Sequence, residues 1–228
     1  RQPGTVALDM GLSAVHMLGI LLTLWWAYAL FSRDSDHDRL PVLLAYPIPR
    51  SSYLLGRFGG LALLLALGLA LLGLVLAGLA LLAKGGYETQ QALRIDWPLA
   101  VVLVGVWVEL LVVGAFAWLI SAISITPLFP FLVGLAFAWS ARSLGPVMSH
   151  LDPSGAGQPP TSSSPLLVVL EGLHHILPNL NRLDWRGLAL YGDAAPWPVL
   201  LGHVGYAAGY IALLLGLAVW AFERRDIG

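Results

Sequence analysis

Residues 58–83 read FGGLALLLALGLALLGLVLAGLALLA, a run without one charged, amide or hydroxyl side chain. It exceeds the roughly 20 apolar residues needed to cross a hydrocarbon core ~30 Å thick. No water is available at that depth to hydrogen-bond exposed N–H and C=O groups. A lone run must therefore be a helix, which pairs its backbone internally. Gly68, Gly73 and Gly78 would weaken a soluble helix but are common within membranes.

Four further runs of this kind lie outward from it, at 11–31, 97–123, 127–148 and 197–222. Trp97-Pro98 opens one with an interfacial aromatic and a helix-starting proline, and Pro130 sits in the first turn of another. The sequence thus predicts an all-α, polytopic transmembrane helical bundle with about five visible spans in a single transmembrane domain. Composition agrees: 58% of the 228 residues are hydrophobic, 11% are charged, and the mean hydropathy is +0.79. A soluble domain carries roughly 25% charged residues to cover its aqueous surface. The net charge of −1 and the lack of a basic cluster predict no nucleic-acid partner. The absence of cysteine removes disulfides, thiolate metal sites and thiol nucleophiles. The first run lacks a basic n-region and a cleavage site, so no signal peptide is expected. No internal repeat is evident.

Lys and Arg divide evenly between the two sides of a five-span chain. Arg33, Arg57 and Arg224, however, stand directly at span ends on one side. That favours a cytosolic loop at 32–57 and a cytosolic C-terminus.

The loop at 32–57 is the first candidate for function. A polar stretch, Ser32-Arg-Asp-Ser-Asp-His-Asp-Arg39, leads into Leu40-Pro-Val-Leu-Leu-Ala-Tyr-Pro-Ile-Pro-Arg-Ser-Ser-Tyr-Leu-Leu-Gly-Arg57. The second part is too short and too rich in proline to span. Its apolar residues suit a helix lying at the interface, followed by a Pro47-Ile-Pro-Arg50 elbow into the next span. An ordinary interfacial connector has the same composition.

Asp34-Ser-Asp36, Leu43-Leu-Ala-Tyr-Pro-Ile-Pro-Arg50 and Tyr53-Leu-Leu-Gly-Arg57 together resemble the signature loop of type-2 ABC exporter (ABC-2 type) permeases. Leu177-Pro-Asn-Leu-Asn-Arg-Leu-Asp184 resembles that family's motif before its last span. Phe222-Glu-Arg-Arg-Asp226 resembles its usual C-terminus. The nearest resemblance is to the NosY-like subgroup, encoded with maturation genes for a copper enzyme, nitrous oxide reductase. The acidic pair here is Asp where the family has Glu, and Arg39-Leu-Pro41 replaces a Gly-Thr-Leu step. The family has six spans, which implies a further span upstream of Arg1 or a five-span variant.

The resemblance implies a transport subunit, not an enzyme, in a bacterial inner (cytoplasmic) membrane. It would bind no cofactor itself; ATP and Mg would reside in separate cytosolic ABC ATPase subunits. The chain accordingly lacks a Gly-x-x-x-x-Gly-Lys-(Ser/Thr) loop. The ATPases would dock on the loop at 32–57, whose interfacial coupling helix would pass their motion to the next span. Asp34, Asp36, Arg39, Tyr46, Pro47, Arg50 and Arg57 are the implied contact residues. A second permease copy or paralogue would complete a dimer.

The second candidate is a set of ionisable residues within the spans. Glu109 falls near mid-bilayer, about 12 residues into its run at 1.5 Å per residue. A charge there costs at least ~2.5 kcal/mol, so it should face a cavity or a partner. Arg142, His16 and His203 lie about two turns from the outer ends of their spans, where they could form one polar patch. Snorkelling and interhelical hydrogen bonding are the structural alternatives to a substrate path.

The third candidate is Glu171-Gly-Leu-His174-His175 in the outer region, 149–196, after a Pro/Ser/Gly-rich linker. On a helix the acid and both histidines share a face, and such a set is competent for zinc or copper. A short outer amphipathic helix at 165–178, resting its Leu and Val on the membrane surface, accounts for the same pattern. No metal is assigned. Gly205-x-x-x-Gly209 permits close helix approach.

Two other functions compete with the ABC-2 reading. A haem-exporter-type permease has a similar acidic-then-Leu-Pro loop, and a non-transporting scaffold subunit would need only the bundle. No His-Glu-x-x-His, Gly-x-Ser-x-Gly or paired intramembrane aspartates suggest an intramembrane enzyme.

Overall fold

The computed structural model describes residues 3–32, 50–84, 97–124, 126, 128–151, 177–191 and 196–224. Its elements are α1 (Pro3–Ser32), α2 (Arg50–Lys84), α3 (Trp97–Ile123), α4 (Phe129–Leu151), a 3-10 turn (Leu180–Leu183), α5 (Arg186–Leu190) and α6 (Trp197–Glu223). No strand occurs among the described residues. The chain is an all-α helical membrane bundle. Among the described residues, four helices are long and apolar enough to cross a bilayer: Val6–Leu30, Ser51–Ala80, Trp97–Ile123 and Trp197–Glu223. The fifth expected span corresponds to α4, whose apolar run is interrupted by Ser140, Arg142 and Ser143.

Helix directions follow from which residues meet. Arg57 of α2 donates to the Leu30 carbonyl of α1, and Gly68 of α2 faces Trp26, so these two helices are antiparallel. Gly19 of α1 faces Leu110 of α3, while Gly114 of α3 faces Thr23, which makes α1 and α3 parallel. Phe116 of α3 stacks on Phe137 of α4 with centroids 3.9 Å apart, and Ala117 lies against Gly134. That pair is antiparallel. Trp97 and Trp197, at the starts of α3 and α6, stack with centroids 5.7 Å apart. One end of the bundle is therefore marked by Trp97 and Trp197. The other gathers the end of α1, the start of α2 and the end of α6.

The hub is α3, which is buried along most of its length, from Pro98 to Ala122. A helix apolar on all sides can be surrounded on all sides. Small residues let its neighbours approach: a Cβ at Gly114 would stand 3.3 Å from Thr23 Cγ2 and 3.4 Å from Leu61 Cδ2. The Trp107 indole donates to the Ala62 carbonyl at 3.0 Å, tying α3 to α2. Trp118, 1% exposed, meets Phe58 edge-on.

The irregular segment 177–191 enters the bundle from the Trp97 end. A Cβ at Gly105 would meet the Leu183 carbonyl at 2.8 Å and the Trp185 ring at 2.9 Å. Gly105 lies eight residues after Trp97 on α3, or about 12 Å along the axis. Non-helical backbone is tolerated at such depth only when covered by protein. Leu180, Leu183, Trp185, Leu188 and Ala189 are accordingly buried, and the Trp185 indole donates to the Arg182 carbonyl at 3.0 Å.

Two boundaries differ from those read in the sequence. The span expected to begin at Phe58 begins at Arg50, so Tyr53-Leu-Leu-Gly-Arg57 forms its first turns rather than the close of the loop. Pro47 and Pro49 precede it and no proline follows, while Leu54 and Phe58 bury against the bundle. Similarly, α1 starts at Pro3, two turns before the expected 11, because Asp9 finds a partner in Arg186. The expected coupling helix before Arg50 and the outer amphipathic helix at 165–178, except for Leu177 and Pro178, lie outside the described residues.

Candidate functional site: a buried ion-pair network

Four parts of the chain bring charge to one place. Its deepest member is Glu109 on α3, 2% exposed, and His16 on α1 is 6% exposed beside it. Arg142 on α4 reaches both. Its NH1 nitrogen donates to Glu109 Oε1 at 2.9 Å and Oε2 at 3.1 Å, and lies 2.9 Å from His16 Nε2. His16 Nε2 is also 3.1 Å from Glu109 Oε1. The other Arg142 nitrogen, NH2, donates to Asp184 Oδ2 at 2.6 Å, so one guanidinium joins α3, α4 and the inserted segment.

From Asp184 the network continues toward the Trp97 end. Arg186 Nε is 3.4 Å from Asp184 Oδ1, and Arg186 NH1 donates to Ser13 Oγ at 2.7 Å and to Asp9 Oδ1 at 3.5 Å. Asp9, Ser13 and His16 are spaced i, i+4 and i+7, which places them on one face of α1. Side-chain exposure is 3% at Glu109, 24% at Arg142 and Asp184, 17% at Arg186 and 52% at Asp9, so the two ends of the path differ most. A charged ladder thus runs from the middle of the bundle toward one surface.

The electrostatics follow from that burial. A lone carboxylate at the depth of Glu109 is costly, and two hydrogen bonds from an always-charged guanidinium offset the cost. Removing one partner would leave the other charge buried and uncompensated. The arrangement can fix the relative positions of α1, α3, α4 and the inserted segment. Among the described residues, no group of three or more His, Cys, Asp or Glu could hold a metal ion.

Of the four intramembrane residues singled out in the sequence, the structure brings Glu109, Arg142 and His16 together. His203, half-buried on α6, has its Nδ1 buried without a hydrogen-bond partner. No hydrogen bond among the described residues joins it to the other three. Asp184, Arg186, Asp9 and Ser13 were not singled out as site residues: Asp184 and Arg186 stand in the polar connector before the last span, Asp9 lies just before the first apolar run, and Ser13 within it carries only a hydroxyl. The i, i+4, i+7 spacing of Asp9, Ser13 and His16 was the one signal available.

At the opposite end, Arg57 donates to the Leu30 carbonyl and lies over the Tyr53 ring, 5.1 Å from its centroid. Arg50 is the first residue of α2. Asp34, Asp36, Arg39, Tyr46 and Pro47, like Glu171, His174 and His175, lie outside the described residues. No family model matches this sequence, nor does any curated protein.

Proposed function

We propose that this chain is the transmembrane permease subunit of an ABC exporter, or of an ABC-driven maturation complex, powered by separate ATPase subunits. The observation that carries the reading is the order of three motifs, at 34–57, 177–184 and 222–226, in a chain of membrane-spanning helices. The described parts of the first and last motifs, 50–57 and 222–224, belong to the same end of the bundle, where α1 ends, α2 starts and α6 ends. In this proposal that end is cytosolic, in a bacterial inner membrane, and ATP and Mg are bound by the partner.

The geometry supports the mechanical side of the reading. A push on the loop between Ser32 and Arg50 is delivered to α2, one unbroken helix of 35 residues. The Arg57 bond to Leu30 couples that helix to the end of α1, so the two would move as a pair. Along α2, contacts with α3 carry the motion inward. A second permease copy or paralogue completes the pathway.

The test is co-expression of the full chain with the genes that neighbour its own, followed by affinity purification and ATPase assay. A Walker-motif ATPase should co-purify. Arg50→Glu should lower its stimulated activity at least about tenfold, equivalent to ~1.4 kcal/mol, without changing membrane insertion. Failure to recover any nucleotide-binding partner, or full stimulation in Arg50→Glu, rules the proposal out.

A further inference from the structure

We propose that His16 is a proton-binding site inside the membrane-spanning bundle, and that its occupancy decides whether Glu109 is held by α4 or by α1. Its Nε2 lies 2.9 Å from Arg142 NH1 and 3.1 Å from Glu109 Oε1. A guanidinium only donates hydrogen bonds and an ionised carboxylate only accepts them. Bare Nε2 accepts from Arg142 and turns a lone pair toward Glu109. Protonated Nε2 donates to Glu109 and turns a hydrogen toward Arg142. The two bonds exclude each other.

Charge balance points to the same atom. The network holds three carboxylates, Asp9, Glu109 and Asp184, against two guanidiniums, Arg142 and Arg186, a net charge of −1 when His16 is neutral. One proton on His16 brings it to zero. Among the described residues, the titratable and charged groups of the network on elements packed against α1 are Glu109 from α3 and Arg142 from α4, both in contact with the ring, Asp184 and Arg186 from the inserted segment, and Asp9 on α1 itself. Along α2, no titratable residue occurs between Arg57 and Lys84.

Proton uptake would redistribute the bonds. An imidazolium repels the guanidinium beside it, while Asp184, at 2.6 Å, keeps hold of Arg142 NH2. Glu109 Oε1 passes to His16. The tie between α3 and α4 weakens, the tie between α3 and α1 strengthens, and the inserted segment stays with α4. Only an N–H bond forms, and the proton comes from solvent at the more exposed, Asp9 end of the ladder. This inference does not rest on the export proposal, and its test uses the chain without an ATPase.

The experiment is a pH titration of the full chain in lipid nanodiscs, labelled with 15N-histidine. The His16 signal is identified by its loss in His16→Gln. Between about pH 9 and pH 4, a range that covers ordinary histidine titration, the ring should pass from neutral with Nε2 unprotonated to imidazolium. Because the chain has no cysteine, Met17→Cys with Trp139→Cys gives a clean spin-label pair across α1 and α4. The distance distribution of that pair should shift with pH and stay fixed in His16→Gln. A His16 ring that does not titrate overturns the proposal, as does a pair distance unaffected by pH or one that still shifts in His16→Gln.

Discussion

Helices α2 and α3 are close to indistinguishable as strings of apolar residues, yet they occupy opposite situations. One side of α2 buries Leu54, Phe58, Leu61, Leu65, Leu69 and Leu76. Its other side exposes Leu63, Leu67, Leu71 and Leu74. By contrast α3 is buried on nearly every side. Lipid tails are as apolar as leucine, so no amphipathic stripe is needed to distinguish core from rim. What sets α3 apart is Glu109, which demands partners, and where its glycines face: Gly105 and Gly114 meet Leu183 and Thr23, whereas Gly59, Gly60 and Gly78 of α2 meet nothing within 4 Å.

The contrast can be broken most forcefully at its polar centre. Arg142→Leu should destabilise the folded chain by ~3–5 kcal/mol, because buried Glu109 would lose its guanidinium and keep only His16 beside it, while Asp184 would keep only Arg186. Thermal unfolding in detergent should show loss of a cooperative transition, and Arg142→Lys should recover part of it. Next in size is Leu110→Ala at the α1–α3 contact, where Leu110 is 0% exposed. The expected cost is ~2 kcal/mol, the low end for such truncations, since lipid and core are equally apolar and only packing is lost.

Gly105→Ala tests the inserted segment. Its methyl would meet Leu183 backbone at 2.8 Å, and such overpacking costs ~1–3 kcal/mol. Protease accessibility of 177–191 should rise as the segment is displaced. The sharpening control is Gly78→Ala on α2, where a Cβ meets nothing within 4 Å. There the effect should stay within about 0.5 kcal/mol of zero, or favour the helix slightly. Equal effects at Gly105 and Gly78 would erase the distinction between hub and rim.

Much of the fold was legible because hydrocarbon leaves the backbone few choices. Long runs such as 58–83 could only be helices. Their ends were less clear where polar residues found partners inside the bundle, as Asp9 does with Arg186 and Arg57 does with Leu30. Glu109, Arg142 and His16 stood out because charge is rare in a span. Depth along a helix could be counted from the sequence, but direction around it could not. His203 therefore looked equivalent to His16 although it sits on α6, apart from the network. Asp184 was hidden for the opposite reason: in a polar connector a carboxylate attracts no notice, and only the inward dip of 177–191 gives it a role.

The depth of the ladder has an electrical consequence. Glu109, and His16 beside it, lie about 18 Å along the axis from Trp97, roughly three-fifths of a ~30 Å core. A full crossing is worth ~2.3 kcal/mol per elementary charge at 100 mV. A proton travelling from the Trp97 end to His16 would feel about 1.4 kcal/mol of that, close to a tenfold change in occupancy. The imidazole would then report the voltage of an energised membrane as well as the acidity beside it.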